Sequence, residues 1–427
     1  MTQFKYLIIG GGMTADAAAK GIRSLDSGGT IGMIGSEPDP PYDRPPLSKG
    51  LWKGKPLAGI WRNTEAKGVD WIGGRKAVSL DPVKQEVMDD HGAAYRYESL
   101  LLATGGRPKR HPSDGSAIYY RTFSDYKTLR DLADRKQRFV VIGGGFIGSE
   151  MAAALTMNGK SVDMAFFASG ICGHILPPYL AGLLNRRFEE KGVRLFPGRG
   201  AMNMAPTSEG VEVCLEDGTR LVADAAIAGL GLAPNVELAI QAGLSVGNGI
   251  VVDERLRTSH ANIYAAGDVA NFPCPALNRR ARFEHEDNAN AMGALAGRNM
   301  AGATEVYGYL PYFYSDLFEI GYEAIGETDP SYQTVVEWVE PDEKGVVFYV
   351  KEDRVRGVLF WNIFGKLDAA RDLMAMPGPV RSADLGAWAK ERLSARSEAA
   401  SEPATPAVNA PPLRRDDPGL NSLLRLP

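Results

Sequence analysis

The stretch GGGMTA at Gly10 returns as GGGFIG at Gly143, each at the end of a short apolar run, KYLIIG and RFVVIG. The first reads Gly10, Gly12, Ala15 in the pattern G-x-G-x-x-G/A, with Ala17, Ala18 and Ala19 opening a helix. The second reads Gly143, Gly145, Gly148 and continues SEMAAAL. A strand that turns straight into a helix through such glycines can bring backbone N–H groups against a pyrophosphate at the positive end of the helix. Glycine leaves room both for the tight turn and for the close approach. One sheet seldom offers two such sites. Two turns therefore predict two dinucleotides, and the economical division is one that stays and one that visits.

From residue 4 to about 306, strand, helix and turn signals alternate, with TIGMIG, DAAIAGL and NIYAAG among the strands, which predicts parallel sheets. From about residue 307 the pattern changes. YFYSDLF, YEAIGE, TVVEWVE, GVVFYVK and RVRGVLFWNIF follow one another across turns such as PDEKG, predicting a largely antiparallel sheet, then helices over KLDAARDLM and SADLGAWAKERLSA. The expected fold class is α/β: two Rossmann-like dinucleotide-binding domains plus a C-terminal α+β domain with an antiparallel sheet. The boundaries read as 1–111 and 237–306 for the two parts of the first domain, 112–236 for the second and 307–393 for the C-terminal one. Residues 394–427 are poor in apolar side chains and rich in Pro, Ala and charge, and are expected to be a disordered tail.

A formal net charge of −4 over 427 residues argues against nucleic acid or a membrane surface as partner, since both are polyanions. Cys172, Cys214 and Cys274 form no C-x-x-C or C-x-x-x-x-C pair, so a redox disulfide of the usual spacing is not expected, nor is a metal site. No apolar run reaches 18 residues, and Met1 leaves little room for a leader before the first strand. A cytoplasmic chain without a membrane span is the expectation.

Six blocks in order carry a resemblance: Gly10 to Ala15, PYDRPPLSKGLW from Pro41, LLATGG from Leu101, GGGFIGSE from Gly143, GLAPNVELA from Gly231 and NIYAAGDVANF from Asn262. Over residues 4 to about 300 they resemble the FAD-dependent pyridine nucleotide-disulfide oxidoreductase superfamily. PYDRPPLSK is similar to the branch that holds ferredoxin and rubredoxin reductases together with apoptosis-inducing factor. SGICGHILPPYL from Ser169, FEHEDNANAMGALAGRNMAG from Phe283, and YFYSDLFEIGYEAIGE with GVLFWNIFGKLDAARDLM resemble the apoptosis-inducing factor proteins more closely.

The resemblance implies FAD as the resident dinucleotide, held by 1–111 and 237–306, and NADH rather than NADPH as the visitor, held by 112–236. The FAD residues it implies are Gly10, Gly12 and Ala15 at the pyrophosphate, Ser36 or Glu37 near the adenosine ribose, and Ala77 beside the adenine. Arg44, Lys49 and Arg121 follow, with Asp268 on the ribityl chain. A helix starting near His285 points its positive end at the flavin, where it favours an anionic reduced ring. Lys49 and Glu150 are expected to face each other at the flavin, the lysine stabilising incoming negative charge and the carboxylate keeping it charged and oriented. Those two and His285 are the catalytic candidates. The nicotinamide candidates are Gly143, Gly145, Phe146, Gly148, Glu150, Gly231, Glu284 and His285, with Tyr314 as a stacking aromatic.

About 20 residues beyond Gly145 the strand ends in Phe166, Phe167 and Ala168, where a ribose-binding acid is expected. Neither that acid nor an arginine for a 2′-phosphate is present. The apoptosis-inducing factor pattern would place an acid at Ala168 and a base at His174, so loose NADH binding is expected. The implied activity is an FAD-dependent NAD(P)H oxidoreductase with a ferredoxin, rubredoxin, quinone or oxygen as acceptor. The alternative is a slow-turnover, apoptosis-inducing factor-like redox sensor acting through nicotinamide-dependent partner binding or oligomerisation. A homodimer is compatible with either.

Overall fold

The computed structural model describes residues 2–113 and 117–393; the segment expected as a tail, 394–427, lies outside the described residues. Thr2–Ile9 forms the centre of the first sheet, between the parallel strands Ile31–Gly35 and Ala94–Leu102, with Val69–Gly73 outermost. The C-terminal half of Ala94–Leu102 also pairs in parallel with Ile263–Ala265, so the chain leaves this sheet and returns to it. Leu7, Ile8, Leu100, Leu101 and Leu102 are wholly buried, as expected for parallel strands covered on both faces.

Helix Met13–Arg23 follows the first strand and crosses helix Glu286–Met300 on a seam of small residues. A Cβ on Gly293 or Gly297 would come within 2.4 Å of the Thr14 carbonyl oxygen and 2.1 Å of that of Ala18. This close crossing fixes where the second helix begins, at His285.

The second parallel sheet has the order Arg194–Pro197, Ser161–Phe166, Arg138–Ile142, Ala225–Ala228, Ala117–Tyr119. The two sheets are bridged where Gly106–Pro108 pairs antiparallel with Leu232–Pro234. The parallel reading of residues 4–306 needs correction at its margins. Ala77–Asp81 pairs antiparallel with Glu86–Asp89, and Ala201–Thr207, Gly210–Leu215 and Arg220–Ala223 form a separate antiparallel sheet. In these short strands Val211, Val213 and Leu215 are buried on one face only, a period of two that a reading based on longer apolar runs passes over.

The C-terminal sheet is antiparallel throughout, in the order Tyr312–Leu317, Ile320–Gly326, Arg354–Trp361, Lys344–Lys351, Gln333–Glu340. Its alternation serves two cores. Val346, Phe348 and Val350 join the core that contains the first sheet, whereas Val347 and Tyr349 join the core around Met151 and Leu180 of the second unit. Helices Leu367–Ala375 and Ser382–Leu393 cover its first face through Ala370, Leu373, Leu385 and Ala389.

Candidate functional site

A cleft of about 960 Å³ opens where the two parallel units meet the C-terminal sheet. Gly10 and Gly143 take φ of +130° and +107°, and a Cβ there would lie 2.1 Å from the Ala103 carbonyl oxygen and 2.3 Å from that of Gly229. Gly12 and Gly145 cap helices Met13–Arg23 and Phe146–Met157, and no side chain among the described residues caps either helix. Among the described residues a Cβ on Gly12 would meet nothing within 4 Å, and one on Gly145 only His174, at 3.9 Å. Both turns thus leave first-turn N–H groups unclaimed by side chains above open space, which fits two pyrophosphates.

Lys49 and Glu150 meet in the cleft at 2.6 Å, with side chains 13% and 3% exposed. Glu150 also accepts from Ser48 Oγ at 2.5 Å and Ser315 Oγ at 2.7 Å, so its carboxylate is satisfied by three donors from two distant parts of the chain, the adjacent Ser48 and Lys49 and the strand that carries Ser315. The lysine ammonium stands 5.3 Å from the Tyr314 ring centre, and the Tyr314 hydroxyl donates to Glu286 at 3.0 Å. Burial pushes the Glu286 carboxyl up and the Tyr314 phenol well up, so that hydrogen bond joins a reluctant acid to a reluctant phenol.

His285, N-cap of helix Glu286–Met300, sits between Phe283 and Phe313, with ring centres at 5.4 and 4.9 Å. Burial lowers its pKa to about 4 against a weaker opposing effect of Asp268, so the imidazole is neutral at physiological pH. Its Nδ1 is buried and has no partner among the described residues. An orphaned donor or acceptor at the mouth of a helix is the kind of group a bound ring system satisfies.

Of the expected residues, Arg44, Lys49, Arg121, Gly143, Gly145, Phe146, Glu150, Gly231, Asp268, Glu284, His285 and Tyr314 line this one cleft, as does His174. Arg121 donates to Asp268 at 2.8 Å, and the carbonyl of Arg121 accepts from Arg44 at 3.0 Å. Of the first turn Met13 lines the cleft, whereas Gly10, Gly12 and Ala15 flank it in sequence without lining the cleft, and Ala15 is fully buried. Gly148 backs the second turn, where a Cβ would fall 1.8 Å from the Gly143 carbonyl oxygen. Three residues stand apart. Ser36 is exposed, and both Glu37 oxygens are engaged, by Arg44 at 2.5 Å and the Tyr42 hydroxyl at 2.6 Å. A guanidinium enclosed this far needs a counter-charge, and Glu37 supplies it. Ala77 belongs to the antiparallel hairpin and does not line the cleft.

Sequence reasoning passed over Ser48, Ser315, Glu286 and Phe313. It also missed the aromatic cover on each turn. A Cβ on Gly11 would strike the Trp71 ring at 2.4 Å, and one on Gly144 the Phe166 ring at 2.8 Å. Phe166 is thus a buried cover at the place where a ribose acid was expected, and Phe167 and Ala168 after it are exposed.

A cleft lined by Met13 after the first glycine turn, by the second glycine turn and by a buried lysine–carboxylate pair fits a two-dinucleotide oxidoreductase. Residues 4–293 match the pyridine nucleotide-disulphide oxidoreductase family, and 296–343 with 337–376 match the C-terminal region of mitochondrion-associated apoptosis-inducing factor. The chain belongs to the pyridine nucleotide-disulphide oxidoreductase family and is an FAD-dependent NADH oxidoreductase. It is 32% identical to apoptosis-inducing factor 1, mitochondrial, of Dictyostelium discoideum, over 87% of this chain and 78% of that protein. It is 33% identical to putidaredoxin reductase CamA of Pseudomonas putida, over 82% of this chain and 87% of that one. A chain of the covalent putidaredoxin reductase–putidaredoxin complex superposes with a TM-score of 0.85 at 30% identity, covering 93% of this chain and 100% of that chain. No described helix is long and apolar enough to cross a membrane.

Proposed function

We propose that this protein delivers electrons from NADH to a ferredoxin-type iron–sulfur protein in the cytoplasm, with residues 1–111 and 237–306 holding FAD, 112–236 holding NADH and 307–393 backing the cleft through Tyr314. The observation that carries the reading is the Lys49–Glu150 pair in the cleft lined by Met13 after the first turn and by the second turn. FAD, when bound, supplies the hydride-accepting and electron-releasing chemistry. Lys49 contributes a fixed positive charge facing the cleft, held there by Glu150 in surroundings of low dielectric where such a charge acts strongly. His285 contributes a neutral ring nitrogen without adding a second cation. Arg121 with Asp268, and the unclaimed N–H groups after Gly12 and Gly145, serve binding and orientation.

The acceptor has to be external. All three cysteines are free, and none lines the cleft, so the described residues offer no disulfide through which electrons would leave. Curated relatives named as ferredoxin and putidaredoxin reductases favour an iron–sulfur partner. The apoptosis-inducing factor-type C-terminal region and the missing ribose acid favour the second reading, a slow redox sensor. Steady-state assays with NADH, cytochrome c as reporter and an added [2Fe–2S] ferredoxin separate the two. Ferredoxin-dependent cytochrome reduction that outpaces quinone and oxygen reduction is expected. A rate indifferent to ferredoxin and slow with every acceptor would replace the reductase reading with the sensor one.

A further inference from the structure

A second cavity, of about 410 Å³, lies between residues 275–278, residues 308–310, strand Arg354–Trp361 and helix Leu367–Ala375, and shares no lining residue with the cleft. Three arginines line it. Arg356 is spent on the protein itself: it donates to Glu327 at 2.9 Å and to the Leu277 carbonyl at 2.9 Å, while Arg279 takes the other oxygen of Glu327 at 2.8 Å. Arg371 is only partly engaged. It donates to the Tyr309 hydroxyl at 2.9 Å and to Asp368, whose side chain is 97% exposed, and its Nε is buried with no partner among the described residues. Arg354 is exposed at the rim and has no carboxylate partner among the described residues.

Of the three lining guanidiniums, Arg356 is neutralised by Glu327, Arg371 faces the almost wholly solvated Asp368 and, beside Tyr309, Asp287, and Arg354 is left uncompensated among the described residues, on a chain whose formal net charge is −4. A positive concavity on an acidic protein selects anions, and the guanidinium fork fits a carboxylate with two parallel hydrogen bonds. Apart from Asn278 the rest of the wall is largely apolar: Pro275, Leu310, Val355 and Met374 line it, and the Tyr309 ring lies 5.0 Å from the Arg371 guanidinium. Its volume is in the range of small-molecule sites, roughly 300–1,000 Å³. A bare inorganic anion would leave that apolar wall wet.

We propose that this cavity binds a small organic carboxylic acid, with the carboxylate between Arg354 and Arg371 and the apolar body against Leu310, Val355 and Met374. Calorimetric titration of the flavin-loaded protein with benzoate, hexanoate and inorganic phosphate tests it. One site for benzoate and hexanoate is expected, with phosphate much weaker. Arg354→Gln, at an exposed position, should weaken both acids by about tenfold or more. Ala276→Glu, which sets a carboxylate in the wall, should do the same, and both variants should keep NADH oxidation because neither residue lines the cleft. Absence of binding by either acid, unchanged affinity in the two variants, or phosphate binding as tightly as the acids would overturn the proposal.

Discussion

The turn at Gly10 and the turn at Gly143 follow one backbone plan but are embedded differently. Helix Met13–Arg23 carries Asp16, fully buried and held by Lys67 at 2.8 Å, Arg62 at 2.9 Å, Lys20 at 2.9 Å and Thr64 at 2.6 Å. Burial alone would raise that carboxyl, but Lys67, Thr64 and Arg62 override it and hold it well below the usual carboxylate range. Arg62 continues to Asp43 and to Asn290 of helix Glu286–Met300, so the first turn is laced into its surroundings. The corresponding helix at the second turn, Phe146–Met157, has one buried carboxylate, Glu150, and it faces the cleft. Beyond the second turn the strand ends at buried Phe166 and is followed by exposed Phe167 and Ala168 rather than by an ion pair like Glu37–Arg44. The contrast suits a dinucleotide that is retained at the first turn and one that exchanges at the second.

The largest effect should come from the cleft side of that contrast. Lys49→Ala removes positive charge where negative charge develops, so anaerobic stopped-flow should show reduction by NADH slowed by ~10-fold to 1000-fold, with FAD still bound. Glu150→Ala should give a smaller defect of the same kind, and the double variant should be less than additive. Strictly additive effects would separate the two residues and break the comparison at its centre.

The third positions of the two turns give the next test. Ala15 fits without exposure, but a Cβ on Gly148 would stand 1.8 Å from the Gly143 carbonyl oxygen. Gly148→Ala should therefore cost about 3 kcal/mol of thermal stability. Ala15→Gly, a helix propensity change with a small void, should cost about 1 kcal/mol. Equal costs in calorimetry would mean that the second turn relaxes as freely as the first.

Much of this was legible in the sequence, for reasons tied to particular residues. The glycine turns, the apolar parallel strands, PYDRPPLSK and AAGDVA are local patterns, and the resemblance they carry implies Lys49, Glu150 and Asp268 before any contact is known. What was missed joins distant parts of the chain. Ser315 reaches Glu150 from a strand of the C-terminal sheet, and Glu286 reaches Tyr314 from the start of a helix, contacts that no local periodicity encodes. Glu37 is expected, with Ser36, near the adenosine ribose; only the fold brings Arg44 and Tyr42 to it. Arg354, Arg356 and Arg371 belong to no local motif, and only the packing of strand on helix closes a cavity between them.

A smaller effect sharpens the nicotinamide side. Ala168→Glu restores a carboxylate after the strand end at Phe166 and should tighten NADH by about 1 kcal/mol, measured as a lower Kd in anaerobic titration. NADPH should weaken in the same variant, because the 2′-phosphate meets like charge. Tighter NADPH would move the ribose away from Ala168.

The central claim, one retained flavin and one exchanging nicotinamide, is tested most directly by passing the purified protein through a desalting column and then titrating it anaerobically with NADH. The account predicts a yellow protein that keeps one FAD per chain through the column, bleaches on NADH addition and releases the NAD+ formed. A colourless protein that FAD does not reconstitute, or a flavin that NADH leaves oxidised, would contradict it.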